Sequence, residues 1–598
     1  MTMVALQHFW QAVAKKWSSL RAFVQANQTV LLNIGYFGIA AFLFVLAARE
    51  RFSLPQDPLE DGDPGYFWPA LMKLSGATFA HIQGLNFLYP GMIYMILRIF
   101  ADFRAISIIQ HLLGLIAGVL FLASWSRLGD FFPKSGLNRV VHEAIGLFGA
   151  AVYLLSSAPV LLEMRIRSDA VCMFFQILIF WLIIQFFYYQ VISPNAPKAV
   201  IYGTAAAVSA FLLASLKPSF TLMALFMVAP VIWLMLSAKG NFTGKVAFFG
   251  IAVPIIVALT LTEHYLRRND QDVKTFLPET LFAIHANIIQ AQMAADLRSG
   301  ETHTYSRDWL QGACDDLERE IQRAHNLNPK GVSANYLMVG TDSLLNRWRR
   351  QLGDEQCLRF VKYWYWHSVA SHPLVFAGKV ANQLGFFYST NCPAFGTHKK
   401  LPLASWAYAA SFSKLCDPQS ERLLATLRAG SDFLERTQKV RFTGVVIQQN
   451  KLVQAWNIWC ARSYLVILLV SVPFACWYML KGSSSEKSRW PAFLVIFLYS
   501  ASFGNVFGIS VVHSMVVDRY SGVLFIAALF AQFWTIRWLI EITFIKLRNI
   551  KLHTVMGSYI VDADHSLHVT RNSMISKRHS KCPRRLNRCE TACKSHVY

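Results

Sequence analysis

Four stretches of the chain set ionisable side chains beside long apolar runs, and each is of a type that can do chemistry. The first is Asp57-Pro-Leu-Glu60-Asp61-Gly-Asp63-Pro-Gly-Tyr66, where four carboxylates crowd into seven residues. Carboxylates at that density can take a proton from a hydroxyl or hold a divalent cation. The plainer reading is a solvated Pro/Gly-rich turn. The second is Glu163-Met-Arg165-Ile-Arg167-Ser-Asp169. Its arginines suit a phosphate, unless they simply pair with Glu163 and Asp169 next to them. The third is Lys217-Pro218 between two apolar runs, an ammonium that either serves a site or snorkels to the membrane surface. The fourth is Asp518-Arg519-Tyr520, with His513 five residues earlier, which reads as a site or as a helix anchor.

The elements that must position these residues are membrane spans. The 598 residues are 54% hydrophobic and only 15% charged, and mean hydropathy is +0.36. Soluble domains carry about 25% charged residues. Apolar runs near the length of a bilayer-crossing helix recur at 29–48, 105–125, 143–162, 170–190, 199–216, 219–237, 246–262, 462–480, 490–510 and 521–541. The first follows a basic stretch (Lys15, Lys16, Arg21) without a small-residue cleavage site, so it reads as a retained span. The expected architecture is an all-α polytopic membrane protein with about ten transmembrane helices. Interfacial helices are expected in the first external loop (49–104), at Gly65 to Leu74 and Phe87 to Phe100.

With the N-terminus cytoplasmic, Arg127, Lys134 and Arg139, then Lys198, then Lys239 and Lys245, then Lys481, Lys487 and Arg489 all fall in cytoplasmic turns. The formal charge of +23 is thus an orientation signal, and a nucleic-acid partner is not expected. The expected divisions are an N-terminal membrane module (1–262), an external domain (263–460), a C-terminal membrane module (461–545) and a basic cytoplasmic tail (546–598). The external domain is expected to be mainly helical, with charged helices at Asp308 to Ala324 and Gly340 to Arg350. Ser371 to Thr390 is expected to return to the membrane. Cys314, Cys357, Cys392 and Cys416 in that segment are positioned for disulfides if it faces an oxidising compartment. The tail is predicted to be disordered, and Cys582, Cys589 and Cys593 with His579 and His596 match no usual zinc spacing.

In this topology all four ionisable stretches share the external face. The pattern resembles the GT-C superfamily of polyprenyl-phosphate-dependent glycosyltransferases, which includes bacterial lipid A aminoarabinose transferases and protein O-mannosyltransferase-like enzymes. The residues that carry the resemblance are Glu60-Asp-Gly-Asp63-Pro-Gly-Tyr66-Phe-Trp-Pro-Ala70 after span one and Gln110-His-Leu-Leu-Gly114 opening span two. Ser157-Ala-Pro159 through Arg167-Ser-Asp169 and Phe174-Phe175, Lys217-Pro218 and Arg519-Tyr520 complete it. The family's acidic motif is often Asp-Glu-x-x-Tyr, so Asp63 or Asp61 is its counterpart here, with Asp63 favoured.

The resemblance implies an inverting transfer of a sugar from a polyprenyl-phosphate-linked sugar donor to a hydroxyl of a glycan or lipid acceptor. Asp63 (or Asp61) would be the base, and Asp169 would place the acceptor or orient the arginines. Lys217, Arg165, Arg167 and Arg519 would bind the donor phosphate, while Tyr66, Tyr520 and His513 would contact substrate. Superfamily members with and without a divalent metal both exist, and Asp57, Asp61 and Asp63 are the residues that would hold one. The implied location is a bacterial inner membrane, with both termini cytoplasmic and the site periplasmic. Rival readings are an O-antigen ligase or polymerase-like protein, a lipid-linked-sugar transporter, and a structural subunit. Mid-span charges and two similar halves would mark a transporter. Here the charges sit at span ends and no internal repeat is visible.

Overall fold

The computed structural model describes residues 28–60, 64–79, 86–132, 138–237, 242–267, 271–301, 305–327, 335–338, 342–398, 400–481, 486–513 and 518–545. Nine helices among them are long and apolar enough to cross a membrane: Leu32–Phe52, Arg104–Phe131, Asp169–Ile192, Ala196–Leu216, Pro218–Ser237, Phe242–Leu266, Lys451–Leu480, Arg489–Val512 and Phe525–Ile545. The pair Arg139–Leu154 and Ser157–Glu163, bent by 52°, passes the same test when taken together and brings the number to ten if it counts as one span. The protein is therefore an all-α polytopic membrane protein, and its spans fall where the apolar runs predicted them. Large apolar side chains such as Phe37, Phe42, Val246 and Leu469 stay uncovered by protein along these helices, as a lipid-facing surface requires.

The bend has a local cause. Pro159 has no N–H to give to Leu155 O, and its ring crowds that carbonyl, so a continuous helix cannot run through this point. The helix stops at Leu154, and Ser156 takes an extended conformation (φ −81°, ψ 134°). Carbonyls released at a helix end in an apolar setting need donors. Arg51 Nη1 donates to Leu154 O at 2.7 Å, and Gln449 Nε2 donates to Leu155 O at 2.9 Å. Gln449 Oε1 also accepts from Ser157 N at 2.7 Å. The bend is thus held by side chains from the first span and from residue 449, far away in sequence.

The first loop carries a 3₁₀ turn (Pro64–Tyr66) and two short helices, Trp68–Leu74 and Leu88–Phe100, where interfacial helices were expected. The segment 263–460 contributes to two cores. Its first part, with helices Arg307–Leu327, Leu344–Leu352 and Asp354–Ser371, closes on its own core around Phe282, Ile289, Met293, Leu310, Leu317, Trp348, Phe360 and Trp364. Its second part packs on the first loop instead: Leu403 and Tyr408 share a cluster with Leu59 and Met164. A two-stranded antiparallel ribbon, Lys400–Pro402 with Val446–Gln448, pairs Leu401 with Ile447 and departs from the helical pattern.

Cys314, Cys357, Cys392 and Cys416 are free thiols in the structure. Cys314 and Cys357 fill apolar core positions, and burial pushes the Cys357 thiol up to about 12. The chain divides into two compact units, 1–538 and 539–598. The second is described only over 539–545, the end of the last helix, so the basic tail with its Cys and His residues lies outside the described residues.

Candidate functional site

The acidic loop is pinned before it reaches its central carboxylates. Leu59 forms an isolated parallel bridge with Arg165. Leu59 N donates to Met164 O at 2.7 Å, and Ile166 N donates to Leu59 O at 3.0 Å. Glu60 is buried, and its N–H donates to Ser411 Oγ at 2.8 Å. Asp61 and Asp63 lie outside the described residues. On their far side Tyr66 is buried, its ring edge-on to Tyr89 at 5.6 Å and beneath the Arg167 guanidinium at 5.8 Å. The loop and the Arg-rich turn are thus one structural feature, although about a hundred residues separate them.

Gln110 staples that turn from the second span. Its Nε2 donates to Glu163 O and Arg165 O, both at 3.0 Å, and its Oε1 accepts from Tyr89 at 3.3 Å. Beside it stands a buried charged knot. Arg51 donates Nε to Glu163 Oε2 at 2.8 Å and Nη2 to Glu163 Oε1 at 3.0 Å, while His111 Nδ1 meets Glu163 Oε2 at 2.8 Å. All three side chains are fully buried. A Cβ at Gly114 would overlap the Glu163 carboxylate, so only glycine allows the second span to approach this closely. Local pairing of Glu163 with Arg165 or Arg167 was one expectation from sequence. The carboxylate goes to Arg51 and His111 instead, because the bend of the third span turns it toward the first two spans.

The second buried pair joins Asp169 and Lys217. Lys217 precedes Pro218, takes an extended conformation (φ −151°, ψ 108°), and ends its helix there. Asp169 opens the helix Asp169–Phe187, where a carboxylate is favoured by the unpaired backbone N–H groups. Lys217 Nζ lies 2.5 Å from Asp169 Oδ1, with the lysine side chain 9% exposed and the aspartate fully buried. The ammonium therefore does not snorkel; the break at Pro218 turns it onto Asp169. Tyr520 caps the pair, its ring 4.8 Å from Lys217 Nζ, and is itself stacked on His513 at 5.3 Å. Thus Asp169, Lys217, Tyr520 and His513, from four separate segments, form one connected group. Arg167, two residues from Asp169, joins it to Tyr66. The Arg519 side chain lies outside the described residues, and Arg165 is half-buried at the loop bridge.

Asp57 lies on the outer side of the loop. Arg436, from the helix Arg428–Val440, donates Nε to Asp57 Oδ1 at 2.7 Å and Nη2 to Asp102 Oδ1 at 3.1 Å. Tyr408 donates to Asp57 O at 2.6 Å, and Phe433 stacks on Phe103 at 4.5 Å. Burial holds the Asp57 carboxyl above its ordinary value despite Arg436. At Asp102 burial acts in the same sense, but hydrogen bonds from Arg104 outweigh it and hold that carboxyl low. Among the described residues no group of three or more His, Cys, Asp or Glu side chains is arranged to hold a metal ion. The Asp57 carboxylate is instead engaged by a guanidinium.

Sequence reasoning did not single out Arg51, Tyr89 or Arg436, and it included His111 in the Gln110 to Gly114 motif without giving it a role. The available signal was an ionisable or polar residue near the end of an apolar run, at Arg51 and His111. Their partners lie 112 and 52 residues away, which no local pattern encodes. No family model, no curated protein and no solved structure matches the chain. What fold and site define is a class: a multi-pass membrane protein with a buried, charged group at the first-loop end of its spans.

Proposed function

We propose that this chain is an inverting membrane glycosyltransferase of the GT-C type, acting at the external face of a bacterial inner membrane. It would move a sugar from a polyprenyl-phosphate carrier to a hydroxyl of an envelope or secreted glycan or lipid. The observations that support this most are the Arg167 contact with Tyr66, on the loop that carries the acidic run, and the Asp169–Lys217–Tyr520 group that begins two residues further along the chain. A phosphate leaving group asks for cations in a site that excludes water, where they act more strongly than in solution.

In this reading the Asp63 carboxylate (or that of Asp61) takes the acceptor hydroxyl's proton. The oxygen then bonds to the anomeric carbon on the face opposite the phosphate. The bond from that carbon to the phosphate oxygen breaks, and polyprenyl phosphate leaves with the electron pair. Lys217 has three N–H donors and gives one to Asp169, so the others can meet the phosphate. Asp169 then orients the lysine, and Arg167 lies close by.

The test is a transfer assay on purified protein in lipid, offering radiolabelled polyprenyl-phosphate sugars and a crude envelope extract. Label should move to product with wild type and not with Asp63→Asn. If Asp63→Asn is active and Asp61→Asn is not, the base is Asp61. Intact donor with folded wild type, across the donors offered, would sink the reading.

A further inference from the structure

A cavity of about 700 Å3 lies apart from the Asp169–Lys217 group, between the self-contained helical core and the helix Pro373–Phe387. Its walls are partly aliphatic, with Ile284, Ile288 and Val375, and its polar groups include His285, Asn382 and Lys379. Lys379 Nζ donates to Ser510 O at 2.9 Å, at the end of the span Arg489–Val512. Among the described residues no carboxylate pairs with Lys379, and burial alone pulls its ammonium down to about 8. An ammonium has three donors, so two beyond the Ser510 bond are available for an anion.

His285 supplies the complementary group. The residue is 2% exposed, and Nδ1 donates to Leu281 O at 2.7 Å. That bond sets the tautomer and leaves Nε2 as an acceptor, buried and without a hydrogen-bond partner. Burial, aided by Lys379, holds the imidazole down to about 4, so it is neutral at physiological pH. A buried acceptor without a donor costs stability unless something binds it. Lys379, with no carboxylate partner among the described residues, and His285, with an unpaired ring nitrogen, thus both belong to the lining of one cavity.

We propose that this cavity is a ligand site for an anionic phosphate headgroup that bears free hydroxyls, with Lys379 on the phosphate and His285 Nε2 accepting from a hydroxyl. The headgroup belongs to a membrane lipid or to a soluble phosphorylated polyol. Leu374, Val375 and Phe386 on the same helix are exposed apolar residues, as at a bilayer surface, and so favour the lipid. The site stands independently of glycosyl transfer, since it uses none of the residues assigned to that reaction.

The experiment measures ligand retained by the purified full-length protein, by native mass spectrometry. The probes are phosphatidylglycerol, phosphatidylcholine and glycerol 3-phosphate. Phosphatidylglycerol is expected to bind about tenfold better than phosphatidylcholine, with Lys379→Met removing that preference and Lys379→Arg retaining it. His285→Phe keeps the ring that stacks on Phe376 but lacks Nε2, and should weaken binding about fivefold. With wild-type protein alone, glycerol 3-phosphate should compete where glycerol does not, which tests the site even if Lys379→Met fails to fold. Binding of glycerol 3-phosphate with no gain from the lipid tails would assign the site to the soluble ligand. Equal retention of both lipids together with no competition by glycerol 3-phosphate, or an unchanged preference in folded Lys379→Met, would overturn the proposal.

Discussion

Two buried ion pairs sit at the same end of the spans, and they are built differently. Arg51 and Glu163 meet through a bidentate contact, with Leu154 O and His111 using further valences on either side. Lys217 and Asp169 meet through one contact, at a helix break, under an aromatic ring. Both pairs incur a desolvation cost, which only good geometry and extra hydrogen bonds offset. Arg51–Glu163 has those bonds in full and closes the bend of the third span. In Lys217–Asp169 the lysine is a compact point charge that gives one of its three donors to Asp169. The comparison teaches that burial of a pair does not by itself mark a site. The first pair is a structural clamp that holds the Arg-rich turn, whereas the second leaves lysine donors that, in the proposed reading, meet a phosphate.

The largest expected effect breaks the clamp. Glu163→Gln leaves the Arg51 charge buried without a counter-ion and should cost about 3–5 kcal/mol, read as a drop in melting temperature in detergent. Arg51→Met combined with Glu163→Gln should recover part of that loss, because the two residues act as one unit. A Glu163→Gln protein as stable as wild type would remove the distinction between the pairs.

The second substitution sharpens the contrast from the other side. Lys217→Met should lower transfer about 10²–10³-fold, the scale for losing one charge-stabilising group. Combined with Asp169→Asn, it should leave the melting temperature close to wild type, since replacing both partners of a buried pair is often neutral. Full transfer by folded Lys217→Met would return the pair to a structural role. Gly114→Ala comes next: the added methyl must displace the Glu163 carboxylate, and overpacking of this kind costs about 1–3 kcal/mol.

The smallest effect is expected at Asp57. Its carboxyl is held high by burial, so the folded state favours the protonated form. A raised carboxyl contributes stability below its ordinary value, and that contribution is lost as pH rises through the folded value. Wild type should therefore gain relative to Asp57→Asn as pH falls through the carboxylate range, and be the less stable of the two at neutral pH, where the ionised carboxylate carries its desolvation penalty. A wild type that loses ground to Asp57→Asn as pH falls would show that the Arg436 contact outweighs burial.

Much of the architecture was legible because a bilayer imposes it: a crossing helix needs a long apolar run, and such runs are visible one residue at a time. The ten runs, the break at Lys217-Pro218 and the short helices of the first loop were all readable in this way. The positions Arg167, Asp169, Lys217 and Tyr520 were also legible, as charges and aromatics at span ends. Their partnerships were not. Lys217 finds Asp169 48 residues earlier, and Asp57 finds Arg436 379 residues later. The two-core division of 263–460 was equally hidden, because its apolar residues do not say whether they face one another or Leu59 and Met164.

The sequence by itself thus determined that this is a helical membrane protein, and which ends of its spans carry charge, since both follow from local composition against the solvent. Tertiary structure alone decided which charge meets which, that Glu163 serves the bend while Asp169 serves the lysine, and that Lys379 and His285 line one cavity. Pairing depends on helix contacts between residues distant in the chain, and a carboxylate looks the same in sequence whichever cation it will meet.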